Sequence, residues 1–196
     1  MIITISGLSG SGKSSTAVLL AKKLGYRHYS MGDLQRKLAE KYKMTTVEFS
    51  RLEASDPKYD KERDTILEEL GKKEDNFIVD TWLGAKFIPH AFKVFLTCND
   101  NVRAKRVYEE TLKGKNIAGI EHKRFSDALY SSVSEAKKTL LEKEKINRER
   151  WLRYYGFDFM DKKNYDLFLD TTKMNVEGTV DTIISEAKKS INKILS

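Results

Sequence analysis

The chain has 196 residues, 33% of them charged and 40% apolar, and a formal net charge of +7. That length fits one domain, or one domain with an insert, hiding roughly 70% of the surface its unfolded chain would expose. No apolar run is long enough for a transmembrane helix, the first residues do not read as a signal peptide, and one cysteine, Cys98, allows no internal disulfide, so a reducing cytoplasm is expected. The positive surplus favours an anionic partner without choosing between nucleotides and nucleic acid.

Ile2, Ile3 and Ile5 form a short β-branched run suited to a buried strand. Gly7-Leu8-Ser9-Gly10-Ser11-Gly12-Lys13-Ser14 follows, then a helical pattern at Ala17, Leu20, Ala21 and Leu24. A G-x-x-x-x-G-K-[ST] run between strand and helix is the phosphate-binding P-loop signature. Its glycines let successive N–H groups converge on phosphate oxygens, at the positive end of the helix dipole. In that reading Lys13 reaches the β- and γ-phosphates of ATP and the Ser14 hydroxyl ligates Mg²⁺.

Gly25 marks a C-cap, and Tyr26 to Ser30 reads as a second strand. Asp33 is expected to cap a helix carrying Leu34, Leu38 and Tyr42. Thr45 and Glu48 make a capping box for the next helix, which Asp56-Pro57 breaks; Lys58 to Leu70 is helical again, closed by Gly71. Three helices between two strands exceed what an alternating α/β fold needs, so 32–71 is expected to be an insert that covers something. Phe77-Ile78-Val79-Asp80 ends a third strand in a carboxylate. Beside the P-loop strand, Asp80 is either an acid at the magnesium shell or a turn aspartate.

Ala91 to Thr97 is a fourth strand, Cys98 a packing residue, and Asp100 opens a helix through Val102, Arg103, Arg106 and Val107. Glu121 to Arg153 reads as helix, with Phe125, Leu129, Val133, Ala136 and Leu140 on one stripe. Beyond Leu141 charge replaces that stripe, so this end is expected to project into solvent or close over a ligand. Pairs such as Glu144/Arg148 and Glu149/Arg153 would lace it. Arg148, Arg150 and Arg153 suit phosphate forks. Tyr165 to Leu169 is the last strand and Glu177 to Ile194 the terminal helix. His28, His90 and His122 have no metal-ligand spacing and are expected to be structural or exposed.

These five strands imply an α/β fold: a parallel sheet with helices on both faces and a ligand crevice at the carboxyl ends of strands one and three. The expected core is 1–31, 72–120 and 154–196, with an acceptor-binding insert at 32–71 and a lid at 121–153. The chain resembles the nucleoside monophosphate kinase family of P-loop kinases, adenylate-kinase-like in fold, and within it the cytidylate kinases of the short archaeal type. The matching stretches are Ile3 to Ser14, Tyr29-Ser30-Met31-Gly32-Asp33, Phe49 to Asp60, Val102-Arg103-Ala104, Tyr155-Gly156-Phe157-Asp158 and Tyr165 to Thr172. They run in order over nearly the whole chain.

The resemblance implies a cytoplasmic, monomeric (d)CMP kinase that uses ATP and Mg²⁺ to make CDP or dCDP. It implies that Gly10 to Ser15 hold the ATP phosphates, with Gly7, Leu8 and Ser9 in the same loop and Arg106 near the nucleotide. Arg36 would bind the acceptor phosphate, with Asp33 shaping that site. Arg148, Arg150 and Arg153 match the lid arginines loosely and would join Lys13 in catalysis. The acceptor phosphate is already an oxyanion, so alignment and charge neutralisation suffice.

One departure stands out. Where the family has an acid, a small residue and Arg-Leu-Ala-Gly, this chain has Asp80-Thr81-Trp82-Leu83-Gly84-Ala85. Trp82 cannot pair with phosphate, and a lost charge-assisted contact costs about 1.5–3 kcal/mol. Lys86, Arg51 or Arg63 compensates, or Trp82 stacks on a different acceptor, or it fills core space. Two further readings stay open. One is a kinase of a shikimate-like or dephospho-CoA-like acceptor. The other is a P-loop regulatory or nucleic-acid-binding ATPase, favoured by the basic balance and opposed by the lack of an aromatic single-strand platform. No membrane partner is expected.

Overall fold

A computed structural model describes residues 1–113 and 130–195, with the side chains at 62, 63, 113, 191 and 193–195 outside the description. The strands are β1 (Ile3–Gly7), β2 (Arg27–Ser30), β3 (Phe77–Asp80), β4 (Phe92–Thr97) and β5 (Leu167–Asp170). They form one sheet in the order β2-β3-β1-β4-β5, and every pairing is parallel, as the sequence leads one to expect. β1 lies at the centre, buried along its whole length, its isoleucines alternating with the buried Thr4 and Ser6.

Helices cover both faces. Ile3 and Ile5 pack with Ala17 and Leu20 of α1 (Lys13–Leu24) and with Val180 and Ile183 of α8 (Val176–Leu195). The alternate residues Ile2, Phe77 and Val79 pack with Leu67 of α4 (Lys58–Lys73). A third cluster joins Leu8 and Phe95 to Phe159 and to Trp151 of α7 (Val133–Tyr155). The remaining helices are α2 (Met31–Lys41), α3 (Thr46–Ser55), the single turn α5 (Gly84–Phe87) and α6 (Asp100–Lys113). Helices α2 to α4 occupy the span expected for the insert. Among the described residues no helix is long and apolar enough to cross a membrane.

Several boundaries differ from expectation. β2 runs straight into α2, so Ser30 and not Asp33 is the N-cap: its Oγ accepts from the Asp33 N–H at 3.3 Å. The Thr45–Glu48 capping box is present. Gly71 lies inside α4 and does not close it; a Cβ there would come within 3.0 Å of Ile88, so glycine serves close packing.

The larger correction concerns 121–153. Phe125, Leu129, His122 and the first part of the expected lid lie outside the described residues. The described part, α7, packs against α3 and α6, and its charged end does not project. Its buried face runs Ala136, Leu140, Glu144, Asn147, Trp151, with Arg150 beside it. The stripe continues at helical spacing but in polar residues, each charge meeting a partner from another element. The expected Glu144/Arg148 and Glu149/Arg153 ladder is replaced: Glu144 pairs with Arg103, Arg148 with Asp158, and Glu149 with Lys145 at 3.9 Å.

Candidate active site

The loop between β1 and α1 is shaped by glycines that no other residue could replace without strain. Gly7 has φ +143° and a Cβ there would lie 2.1 Å from the Leu96 carbonyl oxygen; Gly10 has φ +77° and would meet the Arg103 carbonyl at 2.7 Å. Gly12 caps α1 without a side-chain hydrogen bond, so the first N–H groups of the helix face the loop's concavity. Lys13 Nζ donates to the Leu8 carbonyl at 2.9 Å and sits 5.4 Å from the centre of the Trp82 ring.

This loop opens onto a cleft of about 520 Å³ at the carboxyl ends of β1 and β3. Of the expected site residues, Ser9, Gly10, Ser11, Gly12, Lys13, Ser14, Ser15, Arg36, Asp80, Trp82 and Arg106 all line it. Gly7 and Leu8 are buried beneath the loop. Asp33 ion-pairs with Arg36 and so orients a cation that faces the cleft. Arg106 is tied to the wall by a 3.0 Å hydrogen bond from Nη2 to the Thr171 carbonyl and a 3.5 Å contact from Nη1 to Cys98 Sγ.

Asp80 is 3% exposed, and its carboxylate accepts from Ser30 Oγ and His28 Nε2, each at 2.9 Å. His28 is thus structural, as expected. Asp80 and Ser14 bring only oxygen donors to the cleft, which suits Mg²⁺, an ion that takes one or two protein oxygens and completes its shell with phosphate and water. Among the described residues no group of three His, Cys, Asp or Glu side chains forms a cage for a metal on its own.

The three lid arginines are not brought to the cleft. Arg150 is fully buried, with Nη1 2.7 Å from Glu53 and Nε 3.2 Å from Asp60, so it ties α7 to α3 and α4. Arg148 forms a two-toothed pair with Asp158, and Arg153 donates to the Ala54 carbonyl. Nor does Arg51 reach the cleft: it is exposed and paired with Glu142. Lys86 is exposed and does not line it either. The Arg63 side chain lies outside the described residues.

Two features escaped the sequence reading. Lys143, with Thr139 and Leu140, presents the edge of α7 to the cleft, a cation where the sequence led one to expect the arginines. Behind the P-loop, Glu144 accepts from the Ser9 N–H at 3.2 Å, and Arg103 donates both to the Ser9 carbonyl and to Glu144. Burial holds the Glu144 carboxyl above its ordinary range, against the pull of the Arg103 guanidinium. Glu144 would emerge from the pattern once polar residues are allowed on the buried stripe; Lys143, half-buried beside that stripe, would not.

The sequence profile of the cytidylate kinase-like family matches residues 2–173. The chain belongs to that family. A cytidylate kinase of Sulfolobus acidocaldarius is 32% identical over 199 residues, covering all of both chains. An S-adenosylmethionine-dependent nucleotide dehydratase of Lacinutrix mariniflava is 32% identical over 99% of this chain, which spans 38% of that protein. In the fold alone, shikimate kinase from Aquifex aeolicus superposes with a TM-score of 0.56 at 18% identity, over 97% of this chain and 98% of that one. Family and fold make this a P-loop kinase, an ATP-dependent phosphotransferase.

Proposed function

We propose that this kinase transfers the γ-phosphoryl group of ATP to CMP or dCMP, giving ADP and CDP or dCDP. The observation that carries the reading is one cleft into which the P-loop, Arg36 of α2 and Lys143 of α7 all face. Relatives named cytidylate kinase over their full length support the acceptor. A relative named a nucleotide dehydratase, of which this chain spans 38%, also favours a nucleotide over a shikimate-like acceptor.

The residues divide the work. Backbone N–H groups from Gly10 to Ser15 hold the triphosphate, and Lys13 exchanges the Leu8 carbonyl for a phosphate oxygen. Arg36, steered by Asp33, takes the acceptor phosphate, and Lys143 of α7 adds positive charge to the same cleft. Ser14 and Asp80 would hold Mg²⁺, which would supply charge neutralisation at the phosphates. The acceptor oxyanion attacks without a general base, so alignment and exclusion of water do the rest. On this reading the enzyme serves pyrimidine nucleotide metabolism in the cytoplasm.

ADP release measured with ATP, Mg²⁺ and CMP, dCMP, UMP or AMP in turn tests it. The cytidine nucleotides are expected to be fastest; no turnover of any of the four overturns the reading. Trp82, standing where the family carries arginine, favours a different acceptor as the second reading, and turnover of shikimate without CMP in the same assay would install it.

A further inference from the structure

Trp82 follows β3 at a distance of one residue. The Thr81 N–H donates to the Ile5 carbonyl at 3.0 Å, which carries the β1–β3 contact past Asp80, and the Leu83 N–H donates to Thr81 Oγ1 at 3.3 Å. The backbone on both sides of Trp82 is therefore fixed beside the start of the P-loop, and the side chain packs in one cluster with Leu8. Its ring centre lies 4.8 Å from that of Phe159 and 5.6 Å from that of Trp151. Half-buried, the indole is clamped by these rings on one side and lines the cleft on the other. It cannot turn without unpacking its neighbours. Over the face held in this way stands the Lys13 ammonium, 5.4 Å from the ring centre and within reach of a cation–π attraction.

We propose that Trp82 is a positioning residue for Lys13, on the ATP side of the reaction. The Leu8 carbonyl and the indole hold Lys13 Nζ in different ways. The carbonyl takes up an N–H donor at 2.9 Å and has to be exchanged for a phosphate oxygen. A π face attracts the charge without claiming an N–H direction, so it keeps hold of the ammonium while the donors change partners. A lysine stem has four flexible carbons, and ordering it costs free energy when ATP binds; a ring that keeps it at the mouth of the P-loop removes part of that cost beforehand. An arginine at this position would set a second cation against Lys13 instead. The inference rests on the P-loop kinase assignment and not on the choice of acceptor.

The test is a double-mutant cycle on the dissociation constant of ATP with Mg²⁺, read by calorimetry up to millimolar ATP without any acceptor. Trp82→Leu is expected to weaken ATP about threefold to tenfold, and Trp82→Phe, which keeps a smaller ring, less than about threefold. In the Lys13→Ala background Trp82→Leu is expected to cost nothing further, because the residue it acts through is gone. Trp82→Met fills space without a ring and takes the place of Trp82→Leu should that variant not fold. Equal losses in the two backgrounds overturn the inference, since Trp82 then supports the loop by packing and not through Lys13. Unchanged ATP affinity in folded Trp82→Leu overturns it too, and a raised KM for CMP in that variant would give the ring to the acceptor. Failure of the wild-type enzyme to bind ATP overturns the kinase assignment itself, and the inference with it. Failure to turn over CMP strikes the proposed acceptor alone.

Discussion

The P-loop takes its shape from eight consecutive residues, Gly7 to Ser14, whereas α7 takes its role from partners far away in the chain: Ser9, Arg103, Glu53 and Asp60. The first is a matter of backbone conformation, set by glycine at positive φ and by a helix start. The second is a matter of electrostatics at zero or near-zero exposure, where a charged side chain is tolerated only because another element brings the opposite charge. The two meet at Ser9, whose N–H and carbonyl are both held by the Glu144–Arg103 pair. A loop that is self-sufficient in shape is therefore also anchored from outside.

The contrast can be broken or sharpened by mutation. The largest effect is expected from Arg150→Ala, which leaves Glu53 and Asp60 buried without their common cation. Unfolding in urea should report a loss of about 3–5 kcal/mol. A stability within experimental error of wild type would mean that α7 is not held by these charges. Lys13→Ala should leave Tm unchanged but lower kcat/KM by about 10²–10³-fold, the scale of removing one preorganised electrostatic contact. Equal loss of stability and activity would blur the distinction between the two regions.

Glu144→Gln should fall between them, because it touches both regions. We expect a loss of about 1–3 kcal/mol in stability together with a raised KM for ATP, read by denaturation and by initial rates. A drop in stability with KM for ATP unaltered would show that the P-loop does not need its outside anchor.

The smallest effect concerns the end of α7. Arg148 and a backbone N–H hold the Asp158 carboxyl below its ordinary value of 3.8, although partial burial works the other way. A lowered carboxyl stabilises the fold above its unfolded pKa and loses that contribution as pH falls through the lowered value. The stability gap between wild type and Asp158→Asn should therefore be present near neutrality, at most about 1 kcal/mol for so exposed a pair, and vanish in acid. A gap that widens on acidification would reverse the sign.

What could be read from the sequence follows the same line. β1, the P-loop and the Thr45–Glu48 cap are local patterns, and each is found where the residues place it. The parallel sheet follows from apolar strands with helices between them. Asp33 misleads as a cap because Ser30, three residues earlier, offers the same chemistry on an extended backbone. The end of α7 misleads for a deeper reason. After Leu140 the buried face continues as Glu144, Asn147 and Arg150, and a pattern based on hydrophobicity stops there. Whether a charge is solvated or sealed depends on its partner, and the partners 41 and 97 positions away carry no local signal.

Arg150, sealed between the α3 carboxylate Glu53 and the α4 carboxylate Asp60, has a mechanical consequence. Prising α3 and α4 outward to admit an acceptor would strand opposite charges in a dry interior unless α7 travelled with them. The low-cost movement is a rocking of all three helices as one block. In that movement Lys143 of α7 would travel with α3 and α4, while Arg36, on α2, lies outside the charge-locked block, so the two cationic walls could approach the glycine loop separately.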